Sequence, residues 1–173
     1  MRNILLFLLI SFPLLATDLI LKDGYVAAHT EMMMSTIEPI NNYLQADIRI
    51  QGNDITSIEG KFWVEMKLFT SDDADRDKNM YESVEADKYK LATFAISSVV
   101  KTDEKDNYTI DGVLSFHGVD KPLTANAKIS SVDGSLTIEA SSKILVSDFG
   151  IEPPCLIFMC VRDQIDLLIK ASF

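Results

Sequence analysis

The side chains that could do chemistry in this chain are few and widely separated. Two histidines, His29 and His117, could transfer protons or bind a metal, but no cysteine or carboxylate pattern with metal-ligand spacing accompanies them. No G-x-S-x-G, H-E-x-x-H or phosphate-loop motif occurs in the sequence. The sequence therefore predicts no catalytic residue, no metal site and no enzyme.

Two polar positions still have a functional interpretation beside a structural one. Arg76 and Asp77 are adjacent, so they could contact a ligand headgroup at a pocket mouth, or they could cap a helix and fix it to the rim of the fold. His117 precedes Gly118 in a predicted turn, where solvation or a local hydrogen bond explains it better than metal ligation.

Cys155 and Cys160 are the only cysteines. An exported protein meets an oxidising compartment, so a disulfide that fixes a loop is one interpretation. The other is two small, buried apolar residues. Pro153 and Pro154 precede the pair and could begin the turn that a disulfide needs.

Most of the chain alternates apolar and polar residues with a period of two, which is typical of half-buried antiparallel strands. About eight such segments are separated by short turns, including one over Gly118 to Pro122. Short connections favour hairpins, so the sequence predicts an all-β barrel or sandwich.

One segment breaks this pattern. Acidic and hydroxyl residues precede Ala74 to Glu85, as in a capped helix whose first turn carries negative charge. A short helix is therefore predicted there, lying across one end or side of the sheet. A second, weaker helical turn is predicted over Cys155 to Met159.

The apolar faces of three predicted strands form a ladder that could line a pocket. Each member has two interpretations, ordinary core packing or contact with an apolar ligand. The predicted ligand-binding residues are Phe62, Val64, Met66, Leu68, Phe94, Ile96, Tyr108, Ile110, Leu114 and Phe116.

The first 16 residues have the order of a secretory signal peptide. Arg2 precedes the apolar run Ile4 to Ile10, and small Ala16 stands before the first acid, Asp18. The run is short for a membrane span, so residues 17–173 are expected to form one exported domain, periplasmic or secreted, without a permanent span. An uncleaved anchor is the alternative.

The formal net charge is −10. A surface this acidic repels nucleic acid and anionic headgroups, so neither is an expected partner.

Several motifs in the predicted order resemble the YceI-like family, the exported lipocalin-like carriers of polyisoprenoids. They are Arg76-Asp77 with Met80, Tyr89 and Phe94, Gly112-x-Leu114-x-x-His117-Gly118-x-x-Lys121-Pro122, Ser147 to Ile151, and the alternating strand Val161 to Phe173.

The resemblance implies an eight-stranded antiparallel lipocalin-like barrel with a short helix after an early strand and an elongated internal pocket. It implies a carrier without enzymatic activity, which binds a quinone-like long-chain isoprenoid or another amphiphilic lipid. It implies no cofactor apart from such a bound chain, and it leaves a homodimer open. Two other functions compete: a solid-core barrel that binds or inhibits proteins through its acidic surface, and a hydrolase or isomerase using Asp77 or His117 on an amphiphile.

Overall fold

The computed structural model describes residues 16–32, 35–132, 134–156 and 159–173. The predicted signal segment lies outside these ranges except for Ala16. Within them no helix is both long and apolar enough to cross a membrane. The elements are β1 (Ala16–Leu19), β2 (Asp23–Met32), β3 (Ser35–Ile37), β4 (Ile40–Asn41), β5 (Gln45–Gln51), β6 (Asp54–Glu65), α1 (Ala74–Ser83), β7 (Leu91–Lys101), β8 (Asn107–Phe116), β9 (Val119–Val132), β10 (Ser135–Leu145), β11 (Cys155–Leu156), β12 (Met159–Cys160) and β13 (Gln164–Ser172).

The predicted antiparallel barrel is confirmed. Eight strands of seven residues or more pair in the order β5-β6-β7-β8-β9-β10-β13-β2, and short strands extend this sheet at both edges. β1 pairs with β5 while β2 pairs with β13, and only residues 20–22 separate β1 from β2. One bent N-terminal segment therefore runs from one edge of the curled sheet to the other, and its β1 part covers Ile48 to Gln51 of β5.

The predicted helix is α1, and it ends at Ser83. Asp73 is its N-cap, because the side chain of Asp73 accepts hydrogen bonds from the backbone N–H groups of Asp75 and Arg76. These bonds and the Arg76 charge hold the pKa of Asp73 below its ordinary value. The helix is further tied to the barrel by Tyr81, whose hydroxyl donates to the Phe69 carbonyl at 2.6 Å.

The predicted helical turn over Cys155 to Met159 is wrong. Its described residues belong to β11 and β12, which pair Cys155 directly with Cys160. A disulfide joins these two cysteines. Residues five apart lie on different faces of a helix, so the disulfide and a hairpin suit each other whereas a helix does not. Of the two interpretations of the cysteines, the structure contains the disulfide.

The turn predicted over Gly118 to Pro122 is shorter than expected. Phe116 pairs with Val119, so only His117 and Gly118 form the turn between β8 and β9, and Pro122 lies within β9. Both turn residues have positive φ, 51° and 75°. This is the backbone that a two-residue hairpin needs to match the twist of its strands.

Gly118 is also a point of close contact, which gives a prediction. A Cβ at Gly118 would lie 2.6 Å from the Tyr89 ring, whereas a Cβ at Gly134, which also has positive φ, would meet nothing within 4 Å. We expect Gly118→Ala to lower the free energy of unfolding by about 2 kcal/mol and Gly134→Ala by about 1 kcal/mol. Urea denaturation of both variants measures the difference. Equal losses in the free energy of unfolding would show that the Tyr89 ring moves aside without lowering stability.

The barrel has two different ends. The β5–β6, β7–β8 and β9–β10 turns lie at one end, which we call the turn end, and α1 lies at the other, the helix end. The turn end is filled by closely packed apolar side chains. These include Ile48, Ile58, Val99, Tyr108, Ile129, Leu136 and Phe173.

Candidate functional site: an apolar cavity under the helix

The helix half of the barrel is hollow. A cavity of about 760 Å³ lies inside it, within the range of small-molecule sites. The residues deep in the cavity are almost all apolar, and its polar side chains lie towards the helix end, most of them on or just before α1. The segment Pro153–Cys155, beside the disulfide, also borders the cavity. The cavity is thus a blind, apolar space with its polar groups at the helix end.

The cavity has a floor about halfway along the barrel. For each of the eight long strands, we take the cavity-lining residue that is closest to the turn end; it lies on the strand or directly beside it. We call these residues the floor ring: Val26, Leu44, Phe62, Phe94, Ile110, Ala125, Ile138 and Ile169. The next inward residues on β8, β9 and β10, namely Tyr108, Ala127 and Leu136, are buried in the filled half and do not line the cavity. Packed side chains therefore close the cavity from below.

The structure brings seven of the ten predicted ligand-binding residues together around the cavity: Phe62, Val64, Met66, Phe94, Ile110, Leu114 and Phe116. The other three lie elsewhere. Leu68 lies in the 3₁₀ turn Met66–Leu68 with 36% of its surface exposed, because the strand alternation ends at Glu65. Tyr108 is buried in the filled half, and half-buried Ile96 packs against the core. None of these three lines the cavity.

The wall opposite these residues is not among the predicted ligand-binding residues. Strands β2, β9, β10 and β13 also line the cavity, with Ala28, Leu123, Ala140 and Leu167 among their contributions. All four lie on apolar faces with a period of two, so the same signal could have found them. The sequence alone does not reveal that β13 pairs with β2, and this pairing is what brings the last strand beside one of the first.

The Phe94 ring reaches its place in the floor ring by lying over Gly112 of β8, the residue that pairs with Ile96, while Phe94 itself pairs with Leu114. A Cβ at Gly112 would lie 2.5 Å from the Phe94 ring and 2.4 Å from the Ala95 carbonyl oxygen. Only a residue without a side chain allows this approach, so the ring lies over the backbone of β8. Gly112 thereby leaves room in the cavity that a larger residue would take.

Arg76 and Asp77 both border the cavity, but each is engaged locally rather than with the other. The Arg76 guanidinium lies 3.0 Å from the Asp72 carboxylate and 3.8 Å from that of Asp73. The Asp77 carboxylate accepts hydrogen bonds from the Ser71 N–H at 2.8 Å and the Ser71 hydroxyl at 2.6 Å. These contacts fix the beginning of α1 at the cavity mouth. The role of either side chain towards a ligand stays a prediction.

His117 joins three segments at the helix end. Its Nδ1 lies 2.9 Å from the Phe149 carbonyl oxygen, its Nε2 lies 3.0 Å from the Glu85 carboxylate, and its ring packs on Tyr89 at 4.4 Å between centroids. The imidazole therefore ties the segment after α1 to the hairpin and to the 3₁₀ turn Val146–Phe149.

A second link holds that 3₁₀ turn to the start of the last strand. The Asp163 carboxylate accepts hydrogen bonds from the Ser147 hydroxyl at 2.7 Å and from the Ser147 N–H at 2.9 Å. Both bonds favour the ionised form and hold the pKa of Asp163 below 3.8, its ordinary value. The turn also carries Val146, which lines the cavity, so this carboxylate supports the mouth.

The lowered pKa of Asp163 gives a pH prediction. Because the folded state favours the carboxylate, the contribution to stability is complete above the ordinary pKa and is lost as the pH falls through the folded value. We expect Asp163→Asn to lower the melting temperature at pH 7 and to reduce the further loss between pH 4 and pH 2. Thermal melts across that range measure both effects. Asp120→Asn, at an exposed position of β9, is the matched control, and an identical profile for the two variants would contradict the assignment.

Comparison with known proteins agrees with this geometry. The sequence matches the family model described as a YceI-like domain over residues 22–173. Among curated proteins, none matches the chain in sequence.

Three solved structures share the fold. BcnA of Burkholderia cenocepacia has a TM-score of 0.77 at 15% identity, covering 87% of this chain and 96% of its own. A domain of Saccharophagus degradans, described as polyisoprenoid binding, has a TM-score of 0.67 at 11% identity, covering 88% and 95%. The YCEI protein of Campylobacter jejuni has a TM-score of 0.64 at 18% identity, covering 99% and 90%. At such identities the likeness establishes the fold alone.

Proposed function

The chain belongs to the family of YceI-like domains, and we propose that it is an exported carrier that binds the chain of an isoprenoid or similar amphiphilic lipid inside its barrel. The observation that carries this proposal is the apolar cavity of about 760 Å³ in the helix half. A space of that size and lining suits a long hydrocarbon chain, which needs no polar partners along its length.

Burial of the chain is the mechanism. Each methylene that leaves water for an apolar site contributes about 0.8 kcal/mol, so a chain of a few isoprene units binds without specific polar contacts. The polar residues around α1 lie where the headgroup of a chain inserted tail-first would emerge. The helix and the disulfide-linked hairpin border this exit, and the headgroup stays in or near solvent.

The relatives and the sequence support the finer parts of the proposal. The structurally similar domain of Saccharophagus degradans is described as polyisoprenoid binding. The signal-like first 16 residues and the disulfide between Cys155 and Cys160 fit a periplasmic or secreted protein. We assign no catalytic step to the cavity, because its deep residues are apolar and because Arg76 and Asp77 at its mouth are engaged in contacts that fix the beginning of α1.

A solid barrel that acts only through its acidic surface is the alternative, and the cavity argues against it. That function needs no internal space, whereas empty apolar cavities cost stability in proportion to their volume. A hollow half-barrel is better explained as room for a ligand.

Equilibrium binding of tritiated geranylgeraniol to the mature protein tests the proposal. We expect saturable binding with one chain per protein molecule and competition by unlabelled prenyl alcohol. Binding that is absent, or that does not saturate, would contradict the carrier function.

A further inference from the structure

One member of the floor ring is smaller than all the others. Ala125 is 8% exposed and lies on β9, opposite Ile110 of β8. The other seven positions of the ring carry valine, leucine, isoleucine or phenylalanine. Ala125 therefore takes up the least space of the eight, and a larger side chain there would extend into the cavity that Ala125 lines.

The volume of the cavity limits how much hydrocarbon it can hold. At about 30 Å³ for each heavy atom, the share that a water molecule takes in the liquid, the cavity holds roughly 25 carbon atoms. This corresponds to about four to five isoprene units. Two acyl chains of ordinary membrane length exceed this volume, so a diacyl lipid does not fit inside.

We infer that the cavity measures chain length: it takes a single prenyl chain of about four to five isoprene units, and Ala125 sets the depth at which that chain stops. The inference rests on the proposed carrier function and adds its specificity. Beyond the floor ring the barrel is filled by Tyr108, Ala127 and Leu136. Further units of a longer chain must therefore remain outside the mouth, where they gain little from burial.

A substitution at Ala125 changes the depth in a predictable way. Phenylalanine adds about six carbons at a position that lines the cavity, and we expect these to displace about one isoprene unit of the ligand. Each buried methylene is worth about a fourfold change in affinity. Losing one isoprene unit therefore lowers the affinity for a chain that fills the cavity by at least about tenfold. A chain that stops short of the floor loses nothing.

The experiment compares geraniol, farnesol, geranylgeraniol and solanesol, in order of increasing length, by competition against one fluorescent prenyl probe. For the unaltered protein we expect affinity to rise as far as geranylgeraniol and to level off at solanesol. For Ala125→Phe we expect the affinity for geranylgeraniol to fall by at least about tenfold and the affinity for geraniol to change by no more than about twofold. Asn126→Phe, which adds an aromatic ring at the neighbouring exposed position, is expected to keep the original profile.

The outcomes separate this inference from the function on which it rests. Affinity that keeps rising through solanesol, or a length profile that Ala125→Phe leaves unchanged, would overturn the length limit while the carrier function stands. Failure of every alcohol to compete, in a folded protein, would overturn both. If Ala125→Phe does not fold, Ala125→Leu adds about three carbons at the same place and is expected to shift the profile in the same direction by a smaller amount.

Discussion

Phe94→Asp is expected to weaken prenyl-chain binding by at least about a hundredfold while the barrel stays folded. Phe94 lies in the floor ring, and its ring covers the backbone at Gly112. In the empty cavity the new carboxylate is hydrated through the mouth, but an entering chain removes that water. Leaving a charge unpaired in an apolar site costs several kcal/mol, and about 2.7 kcal/mol already corresponds to a hundredfold loss.

The neighbouring position provides the matched control for this variant. Ala95 is exposed on the opposite face of β7, so Ala95→Asp introduces the same charge outside the barrel. We expect it to bind prenyl alcohol with unchanged affinity. Circular dichroism establishes whether both variants are folded. A folded Phe94→Asp protein that binds as tightly as the Ala95→Asp protein would show that the ligand does not enter the cavity.

His117→Ala is expected to lower the free energy of unfolding by about 3 kcal/mol. The side chain of His117 is only 12% exposed, and it bonds both the Phe149 carbonyl and the Glu85 carboxylate. Its removal takes the imidazole partner from both acceptors, and it also takes away the ring that packs on Tyr89. A lost hydrogen bond to a charged group and an unsatisfied partly buried acceptor each cost about 1–3 kcal/mol.

The other histidine is the control for that measurement. The side chain of His29 is 36% exposed and lies 3.9 Å from Glu31. His29→Ala is therefore expected to change the free energy of unfolding by no more than about 0.5 kcal/mol. Urea denaturation of the two variants compares them under the same conditions. A loss at His117 as small as that at His29 would mean that the three segments hold together without the imidazole.

The strands and α1 could be predicted because each depends on local pattern. Alternation along β6 and β8 determines which side chains point inward, and Asp73 supplies the cap that begins the helix. The family motifs then indicated a barrel rather than a sandwich. Family and barrel are both confirmed.

The position of the cavity could not be predicted, because it depends on how far along the barrel the side chains fill the interior. Tyr108 and Ile110 lie on the same inward face of β8 and look equivalent in sequence. Yet Tyr108 packs in the filled half, while Ile110 belongs to the floor ring. Which interior positions are filled depends on contacts between distant parts of the chain, such as that of Phe173 with Phe62, whose ring centroids lie 6.5 Å apart.

The prediction for the hairpin beside the mouth fails for a different reason. The local sequence from Cys155 to Met159 predicts a helical turn, while the pairing of Cys155 with Cys160 requires two strands. A covalent constraint therefore overrides local preference there.

Native mass spectrometry of the mature protein, purified without detergent and followed by solvent extraction, tests the central claim most directly. The account predicts an added mass of one molecule per chain, which extraction releases as a single-chain isoprenoid or related lipid, and predicts that the Phe94→Asp protein lacks it. A ligand-free mass for the unaltered protein that persists after incubation with geranylgeraniol would contradict the account.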